Sequence, residues 1–200
     1  MRKQSGFTLI ELVIVVVILG FLAVTALPKF LDFTDQAKKA NIEGMAGGYA
    51  TGVSLVRSQW EAEGRPQNTS SQNSVDYDGI EVVLTTEDTA TGIRPGYVVG
   101  LTNGASLDGG FTADNCVEIW ENILQQPPAV TSDISTLNSD DSINYFVSKS
   151  ETGAATLCHY YLKESLQRSG GDYVNPSNST NIGNSFTYQP ANSSVVVHIN

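Results

Sequence analysis

FTLIELVIVVVILGFLAVTAL, residues Phe7 to Leu27, contains 21 residues of which Glu11 alone has an ionisable side chain. At 1.5 Å rise per residue a helix of that length spans roughly 30 Å, the thickness of the hydrocarbon core of a bilayer. Arg2 and Lys3 stand before it, and by the positive-inside rule they hold the N-terminus on the cytoplasmic side. The run is too long for the apolar stretch of an ordinary secretory signal. No small-residue cleavage site follows it either, because Leu27 leads directly into Pro28, Lys29 and Phe30. A plain single-span anchor fits the length but leaves Glu11 without a purpose, since a carboxylate in hydrocarbon is costly unless a partner compensates it.

Two compatible reasons for Glu11 present themselves. Thr8-Leu9-Ile10-Glu11 has the S/T-x-x-E spacing of a capping box, in which Thr8 caps the start of the helix and Glu11 reaches back to a free N–H. Alternatively a cation meets Glu11 inside the membrane, and the cheapest candidate is an amino group made by cleaving the chain just before Phe7.

Gly6-Phe7-Thr8-Leu9-Ile10-Glu11-Leu12, preceded by the short basic leader MRKQS, resembles the type III signal of type IV prepilins and the related pseudopilins, including the apolar helix that follows it. The resemblance implies that a membrane-embedded prepilin peptidase cuts between Gly6 and Phe7, removes the leader (residues 1–6) and N-methylates the new Phe7 amine. It also implies that Phe7, Thr8 and Glu11 form an assembly site, Glu11 pairing with the Phe7 amine of a neighbouring subunit. A buried carboxylate and a buried ammonium compensate each other only in correct register, so this pairing would set how subunits align. Loss of Arg2 and Lys3 leaves nine basic against 21 acidic side chains and takes the formal charge from −10 to −12.

Helical spacing continues beyond the apolar run. Phe30, Phe33, Ala37 and Ala40, then Tyr49, Val53, Val56 and Trp60, recur at steps of three or four, and Gly64-Arg65-Pro66 is a sound terminator. Residues 7–63 as one helix would measure roughly 85 Å. The division expected is a transmembrane and filament-core half over residues 7–28 and an amphipathic half over residues 29–64. Gly20 and Pro28 are helix breakers, and Pro28 both lacks an N–H and clashes with the carbonyl of Val24, which predicts a kink. In pilins a glycine and a proline at matching places bracket a stretch that can lose helical structure in the filament. Gly20 and Pro28 match that pattern, which implies subunits that slide under tension; a static kink is the alternative. Gly44, Ala46, Gly47, Gly48, Ala50 and Gly52 weaken the second half intrinsically, and such small residues predict close approach by strands of the head.

From Pro66 onward, in the head expected over residues 65–200, the composition changes to turn residues and short hydrophobic runs, with 15 acidic residues facing only Arg94, Lys149, Lys163 and Arg168. Strands are predicted at Ile80 to Thr85, Tyr97 to Thr102, Ile143 to Ser148, Ala155 to Leu162 and Ser194 to Ile199. One short helix is predicted over Asp114 to Gln126, with Asp114 as N-cap and Pro127-Pro128 as stop. The fold class is therefore α+β: a long kinked N-terminal helix, partly transmembrane, packed against an antiparallel β-sheet head with a short extra helix, the pilin fold. Cys116 and Cys158 are the only thiols, and a chain exported across a bacterial inner membrane meets an oxidising compartment, so a disulfide is their default state. The resemblance implies the same, since pilins usually staple a loop in the distal part of the head. Residues 169–193 are Gly/Asn/Ser-rich and predict a surface-lying loop, an unusually long tail for the family, before Val195-Val196-Val197 returns as a strand. VTALPKFL, from Val24 to Leu31, and the cysteine-bearing head are similar to pilins of the mannose-sensitive haemagglutinin (MSHA) kind.

The charge of −10 disfavours a nucleic-acid partner, because phosphates would be repelled. Two cysteines with the distant His159 and His198 give no zinc spacing. No phosphate loop, nucleophile elbow or H-E-x-x-H pair occurs, so no enzyme activity, cofactor or metal is expected. Asp76-Tyr77-Asp78-Gly79 and Asp140-Asp141 could touch calcium but are more simply turn residues. Asn-x-Ser/Thr triplets at Asn68, Asn178 and Asn192 suit a polar surface.

The function expected is that of a major pilin: a structural subunit of a type IV pilus, or fimbrium, serving adhesion, motility or biofilm formation. Its expected partners are further copies of the chain, the prepilin peptidase, an inner-membrane assembly platform with its ATPases, the inner membrane before assembly, and a host or abiotic surface. It would lie in the inner membrane first and then on the outside of a Gram-negative-type cell. The rivals are a pseudopilin or minor pilin, and a membrane-tethered binding domain that never polymerises.

Overall fold

The computed structural model describes residues 7–101, 105–107 and 109–200, and the chain divides into two compact units between Ala37 and Lys38. The leader, including Gly6, lies outside the described residues. A single helix, α1 (Leu9–Ala62), contributes to both units.

In the first unit the side chains of Phe7, Leu9 and every large apolar residue from Ile10 to Phe33 are exposed, and none of the most apolar 18-residue window is buried. Helical structure continues through Gly20 and Pro28, so neither residue ends the helix. Threonine hydroxyls bond back to helix carbonyls on either side of Pro28, Thr25 Oγ1 to the Leu22 carbonyl and Thr34 Oγ1 to the Phe30 carbonyl, both at 2.9 Å.

In the second unit the buried stripe of α1 is Ile42, Ala46, Tyr49, Val53, Val56 and Trp60, at alternating steps of four and three that keep one face inward. Phe30, Phe33, Ala37 and Ala40, which the periodicity places on the apolar face, are exposed instead. After Ala62 the chain reverses through two left-handed residues, Gly64 (φ 83°) and Arg65 (φ 64°). The Arg65 N–H donates to the Trp60 carbonyl at 2.9 Å, and the Trp60 indole donates to the Pro66 carbonyl at 3.0 Å.

Three strands then form an antiparallel sheet in chain order: β1 (Ser74–Tyr77), β2 (Ile80–Leu84) and β3 (Val98–Gly100). Helix α2 (Ala113–Ile123) starts from Thr112, whose N–H donates to Asn115 Oδ1 at 2.9 Å. This corrects the expected cap: Asp114 lies in the first turn, where its carboxylate instead accepts from Ser132 Oγ at 2.8 Å. The helix also stops short of Gln126.

A second, five-stranded sheet has the order β10-β9-β6-β5-β4, made of β4 (Val130–Thr131), β5 (Tyr145–Ser150), β6 (Leu157–Leu162), β9 (Ser185–Gln189) and β10 (Ser194–His198). Its pairs are antiparallel except β4 with β5, which is parallel from Val130↔Tyr145. The predicted strands at Ile143 and Ala155 shift accordingly, with a 3-10 turn over Gly153–Ala155. A six-residue helix, α3 (Ile134–Ser139), and a small hairpin of β7 (Arg168–Ser169) and β8 (Asp172–Tyr173) complete the head.

The tail is where the structure departs most from expectation. Residues 169–193 are not a surface loop: they hold β8 and β9, and β9 lies between β6 and β10 with Phe186 and Tyr188 fully buried. Polar residues at Ser185 and Thr187 alternate with those two aromatics, and this alternation puts the rings on the main core. Strands β5 and β6 are buried on both faces: Tyr145 and Tyr160 join the main core, while Phe146 and Tyr161 join a second cluster with Leu137, Ile143 and Leu166. Tyr173 and Ile182 of the tail pack on that second cluster.

Candidate assembly site

Thr8 and Glu11 form the reciprocal pair that their spacing predicts. The Thr8 N–H donates to Glu11 Oε2 at 2.9 Å, the Thr8 hydroxyl donates to the same oxygen at 2.7 Å, and the Glu11 N–H donates to Thr8 Oγ1 at 3.3 Å. One carboxylate oxygen therefore carries both donors. Phe7 beside it is 81% exposed, and Leu9, Ile10 and Leu12 are exposed as well. The site thus consists of one acid, already oriented by its own helix, in an uncovered apolar surface. An additional ammonium beside that carboxylate would be attracted strongly once water is excluded. Gly6, the other half of the expected cleavage site, lies outside the described residues.

In the head, Cys116 of α2 and Cys158 of β6 are joined by a disulfide, with Cα atoms 5.7 Å apart. Beside it is a hydroxyl network not anticipated from the sequence. Tyr160 Oη donates to the Cys116 carbonyl at 2.8 Å and lies 2.8 Å from Tyr49 Oη. The Tyr49 ring has centroid distances of 5.0, 5.4 and 5.2 Å to Tyr160, Phe186 and Tyr188. Burial raises the pKa of Tyr49, Tyr160 and Tyr188, so all three remain neutral donors. The signal available in sequence was the alternation of Cys158 with Tyr160, which puts thiol and phenol on one face of a strand.

Of the glycines in this part of α1, Gly52 meets the end of a helix rather than a strand. A Cβ on Gly52 would lie 2.8 Å from the carbonyl oxygen of Ile123, at the end of α2, whereas Gly44, Gly47 and Gly48 have nothing within 4 Å. His159 is buried, its Nε2 2.7 Å from Ser150 Oγ, and burial lowers its pKa to about 4. The acidic turns are engaged locally: Asp76 Oδ1 accepts from the Gly79 N–H and Asp140 Oδ1 from the Ser142 N–H. Among the described residues no group of three or more His, Cys, Asp or Glu is placed to hold a metal.

Residues 1–27 match the prokaryotic N-terminal methylation motif. The chain is 34% identical over 125 residues to the fimbrial protein EcpC of Eikenella corrodens, an alignment that covers 56% of this chain and 81% of EcpC. It belongs to the type IV pilin family. This pilin is also 44% identical over 64 residues to the type IV narrow pilus major component PilA5 of Thermus thermophilus, covering 32% of this chain and 53% of PilA5. It is 43% identical over 56 residues to the type II secretion system core protein G of Pseudomonas aeruginosa, covering 28% of this chain and 39% of that protein. The pilin thus spans about half the length of PilA5 and less than that of the secretion protein. No solved structure gives a significant match to it. The relatives named here bear no MSHA name.

Proposed function

We propose that this pilin is the major subunit of a type IV pilus, a structural rather than catalytic role, and that Phe7, Thr8 and Glu11 direct its polymerisation. The observation that carries this reading is the position of Glu11: the one ionisable side chain from Phe7 to Leu27, exposed with its apolar neighbours and held, among the described residues, by Thr8 just before its own helix. A helix of that kind lies in the inner membrane until identical helices cover it. Cleavage between Gly6 and Phe7 by a prepilin peptidase supplies the ammonium, N-methylation keeps its charge, and Glu11 of the next subunit receives it. The leader is residues 1–6, the filament core residues 7–28, the amphipathic half residues 29–64 and the exposed head residues 65–200. Gly20 and Pro28 bracket the segment that gives way when the filament is stretched. Assembly on an inner-membrane platform driven by ATPases would then deliver the filament to the outside of a Gram-negative-type cell, where the acidic heads meet host or abiotic surfaces.

The test is intact-mass analysis of mature protein together with Glu11→Ala. The expected result is loss of Met1 to Gly6, a methyl group on Phe7, and a Glu11→Ala variant that is processed yet gives few or no sheared surface filaments. Retention of the leader, or wild-type filament yield from Glu11→Ala, would overturn the proposal. The local match to a secretion-system protein supports a second reading as a pseudopilin. Abundance separates the two, since a major pilin makes up the bulk of a sheared fibre and a pseudopilin does not.

A further inference from the structure

Strand β10 is the outermost strand of the five-stranded sheet. One edge pairs with β9, from Ser194↔Gln189 to His198↔Ser185, and among the described residues no strand lies on the other. Among the described residues the backbone of Val195, Val196 and Val197 makes no hydrogen bond beyond that ladder. Val196 is 47% exposed and Val197 37%.

Proteins ordinarily blunt such edges with a charge, a proline, a bulge or extreme shortness. The other outer strands here do so: β1 carries Asp76, β3 has three residues, β4 has two, and the two-residue β7 and β8 carry Arg168 and Asp172. Strand β10 has five residues in continuous register and no charged or proline side chain, and its three consecutive valines are strong strand formers.

The charge distribution identifies the occupant. Residues 65–200 hold 15 acidic side chains against Arg65, Arg94, Lys149, Lys163 and Arg168, so two heads repel over most of their surfaces. From Tyr173 to Asn200 there is no Asp, Glu, Lys or Arg at all. The uncharged stretch therefore includes the open edge, so the edge itself adds no like-charge repulsion to the approach of a second copy of this chain, and salt screens what the rest of the two heads supplies. The edge is also self-complementary. In an antiparallel pairing centred on Val196, Val196 meets Val196 of the second copy, Val195 meets Val197, and Ser194 meets His198.

We propose that β10 is a self-association edge, at which two copies of this chain pair antiparallel about a two-fold axis and join their five-stranded sheets. Such a contact closes on itself and cannot propagate a fibre. On the filament reading above, on which this part rests, it ties neighbouring pili side by side. Self-pairing of the chain itself does not depend on that reading.

The test uses sheared filaments and the full chain in detergent. Wild-type filaments are expected to associate laterally, and more so as salt rises from about 10 to about 150 mM and shortens the screening length from roughly 30 to roughly 8 Å. Val196→Lys sets two ammonium groups opposite each other and is expected to reduce lateral pairing roughly tenfold or more at unchanged filament yield and melting temperature. Val196→Cys is expected to give a reducible disulfide-linked dimer, both in filaments and in detergent, while Val174→Cys, 45% exposed but outside β10, does not. Bundling by Val196→Lys equal to wild type, or absence of the Val196→Cys dimer under oxidising conditions, would overturn the proposal. If the wild type makes no filaments the pilus reading fails by itself, and the dimer in detergent still decides whether the edge pairs.

Discussion

Tyr49 donates a hydrogen bond to Tyr160. The two hydroxyl oxygens are 2.8 Å apart, and the single proton of Tyr160 is committed to the carbonyl of Cys116, so only Tyr49 can supply the proton between them. A helix, a strand and the disulfide-bearing turn of α2 are thereby connected by two hydroxyls in a fully buried site. Buried donors and acceptors of this kind stabilise modestly when paired and cost more when one partner is removed.

Tyr160→Phe removes a donor and an acceptor together: it leaves the buried Tyr49 hydroxyl without its acceptor and takes from the Cys116 carbonyl the second donor that it holds beside its helical bond. It is expected to destabilise the head by about 2–3 kcal/mol. Tyr49→Phe leaves the bond to Cys116 intact and should cost about 1 kcal/mol. Denaturant melts of the two variants in detergent check the order; equal losses would show that the hydroxyl network has no direction.

Reduction of Cys116–Cys158 releases a loop with a sequence separation of 42. Loop closure of that length corresponds to about 4 kcal/mol in the chain-entropy account. The double Cys116→Ser, Cys158→Ser variant is expected to melt well below the oxidised protein and to match the wild type in reductant. A melting temperature indifferent to reductant would contradict this.

Gly52 and Gly47 lie on the same helix and should respond oppositely to alanine. At Gly52 the new methyl meets the Ile123 carbonyl at 2.8 Å, and Gly52→Ala is expected to cost about 1–3 kcal/mol as α2 is displaced. At Gly47 nothing lies within 4 Å, and Gly47→Ala should add about 0.5–1 kcal/mol through helix propensity. Thermal melts of the two variants decide it.

His159 makes the head acid-sensitive before its carboxylates do. Its folded pKa of about 4 lies below the ordinary value of 6.5 because burial disfavours the imidazolium, with the His198 charge adding to the effect. The unfolded chain therefore binds this proton first, so the stabilisation is complete above pH 6.5 and is lost as pH falls toward 4. The loss should be on the order of 2 kcal/mol. Asp88, Asp133 and Asp140, whose pKa values are lowered by hydrogen bonds, lose their contribution at lower pH still. His159→Gln should flatten the melting temperature between pH 6.5 and 4 and leave the decline below that range; an unchanged profile would exclude His159 as the cause.

The features that sequence made legible are those governed by local chemistry. The Thr8–Glu11 box depends on a spacing of three, the end of α1 on Gly64 and Pro66, and the stripe from Tyr49 to Trp60 on helical periodicity. What sequence concealed depended on distant partners. Strand β9 looks like loop because Ser185 and Thr187 dilute Phe186 and Tyr188, and only its position between β6 and β10 makes alternation, rather than mean polarity, the relevant quantity. Asp114 was a reasonable cap by residue type, but Asn115 placed three beyond Thr112 moves the helix start two residues earlier. Phe30 and Phe33 have helical spacing yet are exposed. The short parallel strand β4 has too few residues for any pattern.

The position of β9 sets an order of events for a nascent chain. Strand β6 meets β5 within a few residues, but its other flank stays bare until residues 185–189 have emerged. A polypeptide interrupted anywhere between Cys158 and Ser185 would hold both halves of its covalent staple and still lack the wall that closes over Tyr160. Closure of the head over Tyr160 therefore waits for β9, which follows the second cysteine in the chain.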